Sequence, residues 1–349
     1  MSHTAITIPR RLPLWLSGLL LLLLSAAYSP PSIAVSEIAT DLLVDLKENL
    51  RLSVDSSSSS YWYVDPELVG HRHALGIDLR KEFRNLHRDR GVLTVQAYLT
   101  RVEGLRPTPS FYADDRDTRL VYRIVNFNYT GLPRGLPNVR VGHMELPFGL
   151  EHLVDTNGTL RQYDVPQNLG LQADWGVTLN NEHELFEYEF MVGGGGNQRV
   201  GREAGSYVFA GRVGTPRAGR LVLGLSLLKN EIDGVGRERV GLDAQYRVGL
   251  QSWLAEVAFG TTDGRGMYDG LIEWNRADSS DTWQFYGQLG ARGEVDAGDV
   301  IEAAAGVVYR PTRALSVSAQ LEQDLFASVD ATQTTLSLQL RYRTGQGYY

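Results

Sequence analysis

Histidines, carboxylates and serines are the residues that could make this chain a catalyst, and their spacing argues against it. His71, His73, His87, His143, His152 and His183 are scattered among strand ends and connecting segments. A nucleophilic triad needs a base within hydrogen-bond reach of the nucleophile and a carboxylate to orient it. Nothing in the spacing of Ser206, Asp243 and His71 brings them together. Metal ligation needs several His, Asp or Glu converging on one face, and no such close spacing recurs. Gly193 to Gly196, followed by Asn197 and Gln198, have the composition of a phosphate-cradling loop. No helix start follows to present the amides, so a flexible external loop is expected there. The sequence therefore assigns no catalytic residue, no cofactor and no metal. What remains is electrostatics. Arg123, Arg140, Asp174, Arg212, Asp243 and Arg247 lie on the polar sides of alternating segments, and Glu151, His152, Asp155, Arg161 and Asp164 lie in one long connection.

The elements that carry these charges alternate with period two. In NLGLQADWGVTLN, Leu169, Leu171, Ala173, Trp175, Val177 and Leu179 occupy one parity, and Gly170, Gln172, Asp174, Gly176, Thr178 and Asn180 the other. A strand points successive side chains to opposite faces, so one face is apolar and the other polar. The pattern predicts sixteen strands, near 48–55, 71–82, 91–102, 119–128, 138–145, 168–180, 184–192, 206–213, 220–228, 239–250, 252–260, 267–275, 282–291, 299–310, 314–324 and 334–343. Pro66, Pro107, Pro109, Pro133, Pro137, Pro147, Pro166, Pro216 and Pro311 all fall between them, as they must, because proline removes a ladder donor. The fourth strand is the least regular: Asn126 continues the parity of Leu120, Tyr122 and Ile124, while Val125 and Phe127 fall on the other face.

Composition bounds the class. The formal net charge is -7, which disfavours nucleic acid as a partner. There is no cysteine, which disfavours a small disulfide-built secreted domain. Residues 1–34 read as a signal peptide: Arg10 and Arg11, an apolar run from Leu14 through Leu24, then Ser32-Ile33-Ala34 as a small-x-small cleavage site. Residues 35–47 would form a short periplasmic segment and 48–349 the folded domain. An exported chain whose alternation runs to its end is expected to be all-β, an antiparallel transmembrane barrel in the bacterial outer membrane with lipid outside and water inside.

Two further patterns agree. If the first strand rises from the periplasm, the gaps after odd strands are extracellular and should be longer. SSSSSYWYVDPELVG follows the first strand, GLRPTPSFYADDRD the third, and residues 146–167 the fifth. Trp253, Trp274 and Trp283 fall at the opposite rim on adjacent strands, facing outward, as an interfacial aromatic girdle.

Residues 139–151 read VRVGHMELPFGLE. This resembles the phosphate-selective porin O/P family, in which a V-G-x-x-x-x-P-F-G-x-E strand enters the long third extracellular loop. Asn168-Leu169-Gly170 and Asp174-Trp175-Gly176 are also similar. The resemblance covers roughly residues 138–178. It implies a sixteen-stranded homotrimeric porin with the third loop folded into the lumen. It does not extend to selectivity: the family uses lysine clusters, and this chain has only the lysines Lys47, Lys81 and Lys229.

The expectation is thus a passive channel for small hydrophilic solutes or inorganic ions, embedded in outer-membrane lipid. Arg123, Arg140, Glu151, Asp155, Arg161, Asp164, Asp174, Arg212, Asp243 and Arg247 would line the pore or its constriction. The rivals are an outer-membrane enzyme or adhesin on a barrel scaffold, and a secreted soluble β-sandwich that binds a ligand.

Overall fold

The computed structural model describes residues 49–64, 67–85, 88–105, 118–133, 135–151, 159–163, 168–200, 205–295, 298–328 and 332–348. The expected signal peptide and periplasmic segment lie outside them, as do His87, His152, Asp155 and Asp164.

All sixteen expected strands are present. They are β1 (Leu50–Tyr63), β2 (Leu68–Asn85), β3 (Arg88–Glu103), β4 (Thr118–Tyr129), β5 (Asn138–Glu145), β6 (Ala173–Glu182), β7 (Glu187–Gly193) and β8 (Tyr207–Gly214). There follow β9 (Leu221–Ile232), β10 (Val235–Val248), β11 (Gln251–Thr262), β12 (Arg265–Ala277), β13 (Trp283–Glu294), β14 (Gly298–Tyr309), β15 (Leu315–Ala327) and β16 (Thr334–Tyr348). Each pairs with its neighbours in sequence, and β1 closes on β16. The sheet is one closed antiparallel barrel, which overturns the β-sandwich rival. A sandwich buries its apolar face against a second sheet, whereas here Leu221, Leu223, Leu225 and Leu227 of β9 and Val240, Leu242, Tyr246 and Val248 of β10 are all exposed on the outer wall.

The irregular fourth strand has a local cause. Gln96 pairs with Ile124 and Ala97 with Tyr122, so Arg123 is an extra residue with no partner on β3. This β-bulge shifts the parity of everything after it. Leu120 and Tyr122 face outward before the bulge, and Val125 and Phe127 after it, while Asn126 turns inward and is buried.

The connections at the two ends differ. One end carries 104–117, 146–172 and 194–206, together with shorter links; every link at the other end is short. The long-loop expectation for SSSSSYWYVDPELVG is corrected, because β1 runs through the serine run to Tyr63. Ser58 and Ser60 stay in the ladder by bonding their hydroxyls to Nδ1 of His73 (3.0 Å) and of His71 (3.1 Å) on β2. Beyond β8 two of the loop-end links, β9–β10 and β11–β12, are Asp-Gly turns. Asp233-Gly234 and Asp263-Gly264 both have positive φ at each residue, the conformation of two-residue hairpin turns that match strand twist.

At the short-turn end, Trp253 faces Trp274 across β11–β12 with ring centroids 6.4 Å apart, and Trp283 packs on Tyr309 across β13–β14 at 4.5 Å. Trp253, Trp283 and Tyr309 are exposed on the outer wall.

Candidate functional site

The chain leaves β5 at Leu146 and returns to β6 at Gln172, where the Leu146 amide donates to the Gln172 carbonyl (3.0 Å). Between them the segment turns onto the inner wall. Pro147 has no amide to satisfy, and the Phe148 amide donates back to Leu146 O (2.8 Å), a tight three-residue turn. Gly149 then adopts φ +64°, and a Cβ there would lie 1.8 Å from Oε1 of Glu256. Only glycine tolerates both conditions. Its amide donates to Ser226 Oγ (2.9 Å), while the amides of Leu150 and Glu151 donate to Glu256 Oε2 (2.7 and 3.3 Å). Side chains of β9 and β11 thus satisfy the backbone of the Pro147-Phe148-Gly149 bend.

Apolar packing anchors this arrangement. Leu146, Phe148, Leu169 and Leu171 pack with Met144, Met191, Val208, Ala210, Leu228 and Ala258 of the wall. Leu150 packs with Val222, Leu254 and Leu271, and half-buried Tyr163 joins them. Burying one such side chain is worth roughly 1.5–3 kcal/mol, against about 0.5–1.5 kcal/mol net for one hydrogen bond. Packing therefore holds the segment, and the bonds fix its position.

The middle of the segment is fastened further around the barrel. Arg161 pairs with Glu273 on β12 (2.9 Å) and lies 5.1 Å from the Tyr286 ring centroid. The Tyr163 hydroxyl donates to the same carboxylate (2.8 Å). Burial, and then the Glu273 charge, push the Tyr163 phenol far above its ordinary range, so it remains a donor. Gln162 exchanges backbone bonds with the Gln288 amide (3.0 and 2.9 Å) and donates from Nε2 to Glu322 (2.8 Å). On the return, Asn230 donates to Leu169 O (2.7 Å) and Arg239 to Asn168 Oδ1 (2.8 Å).

Most of the expected wall charges are held by neighbouring groups. Arg123 pairs with Glu145 (3.0 Å) and Arg140 with Glu189 (2.6 Å). Arg212 contacts Asp243 (2.6 Å) and Glu187 (2.9 Å), with its own side chain only 1% exposed. Asp174 accepts the amides of Gly195 (2.6 Å) and Asn197 (2.9 Å), so the glycine run is held on this carboxylate. Arg247 reaches the carbonyls of Arg217 (2.8 Å) and Gly219 (3.1 Å) in the 215–220 turn, at the end away from the long loops. Glu151 and Arg161 lie on the inward segment.

Ser206, Asp243 and His71 are not brought together. Asp243 is held by Arg212, and His71 is bonded to Ser60 on a distant strand pair. Among the described residues no group of His, Asp or Glu could hold a metal ion.

Sequence reasoning missed the docking surface itself: Ser226, Glu256, Glu273 and Gln288, with the inward apolar residues around them. The signal was there. Met191, Val208, Val222, Leu228, Leu254 and Leu271 occupy the parity that elsewhere carries charge, and an apolar side chain facing a water-filled lumen calls for a cover.

No family model and no curated protein matches this sequence. Solved structures do. An anion-selective porin from Comamonas acidovorans is 12% identical with a TM-score of 0.59, over 84% of this chain and 99% of that one. OprB of Pseudomonas putida is 9% identical with a TM-score of 0.62, over 89% and 96%. OmpF of Salmonella typhi is 9% identical with a TM-score of 0.59, over 85% and 98%. The chain has the fold of these outer-membrane porins, a closed barrel of sixteen antiparallel strands.

Proposed function

We propose that this protein is a porin of the bacterial outer membrane, a passive diffusion channel for small hydrophilic solutes or ions, with residues 146–172 as its constriction. One observation carries the reading: both halves of that segment are bonded to inward side chains of a closed barrel whose exterior is apolar. Barrels of sixteen to eighteen strands are wide enough for an aqueous channel, and a segment tied to the wall at Glu256 and again at Glu273 narrows it.

The pairing of wall arginines with wall carboxylates favours weak ion selectivity over a phosphate filter. The scarcity of lysine points the same way. The leader at 1–34 supports export. A homotrimer is in keeping with the family resemblance and with a similar structure, OmpT of Vibrio cholerae, described as a trimer.

The test is electrical. The purified chain in a planar bilayer should form open, weakly selective channels, and deletion of residues 152–163 should raise the unit conductance. A correctly assembled parent that passes no ions would end the channel reading. A conducting deletion variant with unchanged conductance would place the segment away from the narrowest point.

A further inference from the structure

The inward turn of 146–172 leaves a defect in the wall. β4 and β5 pair only from Val125↔His143 to Tyr129↔Val139. Above that level β5 still pairs with β6 up to Glu145↔Ala173, but among the described residues no strand pairs with Thr118–Ile124 of β4 on that side. A sheet edge at this level presents unpaired amides and carbonyls, which are costly wherever water is excluded.

Side chains close this seam. The His143 imidazole, fully buried beside the Trp175 ring, lies with Nδ1 3.1 Å from Arg123 O. The Arg123 side chain, freed by the bulge, reaches Glu145. Gln198 serves Tyr122. Its Oε1 accepts the Tyr122 amide (2.7 Å), and its Nε2 donates to the Tyr122 carbonyl (2.9 Å). One carboxamide thus makes both bonds that a neighbouring strand would make. Gln198 is held in place from two sides: Asp174 binds the amides of Gly195 and Asn197, and Trp175 Nε1 donates to Gln198 O (3.4 Å).

We propose that Gln198 is the latch of this seam and a positioning residue for the channel, because it fixes the wall from which the constricting segment departs. The glycine run serves that latch: its amides converge on Asp174, an anion-binding concavity occupied by the protein's own carboxylate. The seam belongs to the barrel alone, whereas its influence on current rests on the channel reading above.

The experiment uses the full-length barrel and the variants Gln198→Ala and Asp174→Asn, with Gln198→Glu as a partial replacement that keeps the acceptor and loses the donor. Hydrogen exchange over residues 118–124 should become about tenfold faster in Gln198→Ala, as for loss of a pair of net-favourable hydrogen bonds. Gln198→Glu should fall between it and the parent. Single-channel records should show more frequent closures at lower voltage, with the open conductance kept, since the segment remains packed on β9–β13. Unchanged exchange in assembled Gln198→Ala would overturn the latch whether or not the parent conducts. Faster exchange with unchanged closures, in a parent that conducts, would overturn its link to the channel while leaving the channel reading intact. Asp174→Asn, the gentler change, should reproduce the exchange effect in part, and unaltered protection there would overturn the role given to the glycine run.

Discussion

Glu256 Oε2 accepts the backbone amide of Leu150 at 2.7 Å, although 106 residues separate them in the chain. This contact ties the strand wall to the inward segment, and it gives the first prediction. Glu256→Ala leaves the Leu150 and Glu151 amides without their acceptor, at roughly 1–3 kcal/mol for each buried group left unsatisfied. Glu256→Gln keeps one acceptor oxygen and should cost less. Gly149→Ala should resemble Glu256→Ala, since its Cβ would overlap the carboxylate. Thermal unfolding of the folded barrels should rank parent, then Gln, then Ala. A Gly149→Ala barrel as stable as the parent would contradict the close approach.

The Arg161–Glu273 pair predicts a change of selectivity with a definite sign. Arg161→Ala removes a positive charge and leaves Glu273 negative, so the reversal potential in a KCl gradient should move toward cation preference. The shift should be largest at low salt, because screening acts over about 10 Å at 0.1 M. An unchanged reversal potential would show that the pair does not face the permeating ions.

Strand β10 predicts an effect that alternates with position. Leu242 is 56% exposed on the outer wall, while Asp243 is buried inward. Leu242→Arg and Ala244→Arg each place a charge against lipid, costing ~2–4 kcal/mol at the bilayer midplane. Gln245→Arg faces the interior and should be tolerated. Folding yields into lipid vesicles read the difference, and equal yields for the three would refute the register.

The tryptophans at the short-turn end predict a separation of anchoring from conduction. Replacing Trp253, Trp274 and Trp283 together by Ala should lower barrel stability without changing unit conductance, since interfacial aromatics sit at the headgroup level. Their fluorescence should be quenched by lipid-borne quenchers. Quenching by iodide alone would place them in water instead.

The strand count, the clean proline gaps and the outward parity were legible because each is a local consequence of alternation. Two features were legible only as anomalies. The parity break at Asn126 was visible, but its cause, the β-bulge at Arg123, requires knowing the partner strand. The serine run read as a loop because serine favours turns, and its partners His71 and His73 become neighbours only once β2 folds back on β1. Of the site, the Pro147-Phe148-Gly149 bend could be found by motif. Glu256 and Glu273 could not, because their partners lie across a closed barrel, and a carboxylate that binds a loop looks in sequence like any inward charge. The pairing of Arg212 with Asp243 was hidden for the same reason: the sequence shows each only as a charge on the inner wall.

The tight Asp-Gly turns of the second half carry a consequence for assembly. β9–β10 and β11–β12 close locally, while the contacts that seat the inward segment join residues up to 160 apart. Local pairings form before distant ones because loop-closure entropy opposes the latter. The hairpins are therefore expected to zip first and the segment to dock last. On the channel reading proposed above, the nascent barrel would then pass through a stage that is sealed around its circumference yet wider inside than the finished protein. During insertion the membrane should then be most permeable just before the protein is complete, which time-resolved dye release from vesicles would register as a leak that declines as folding ends.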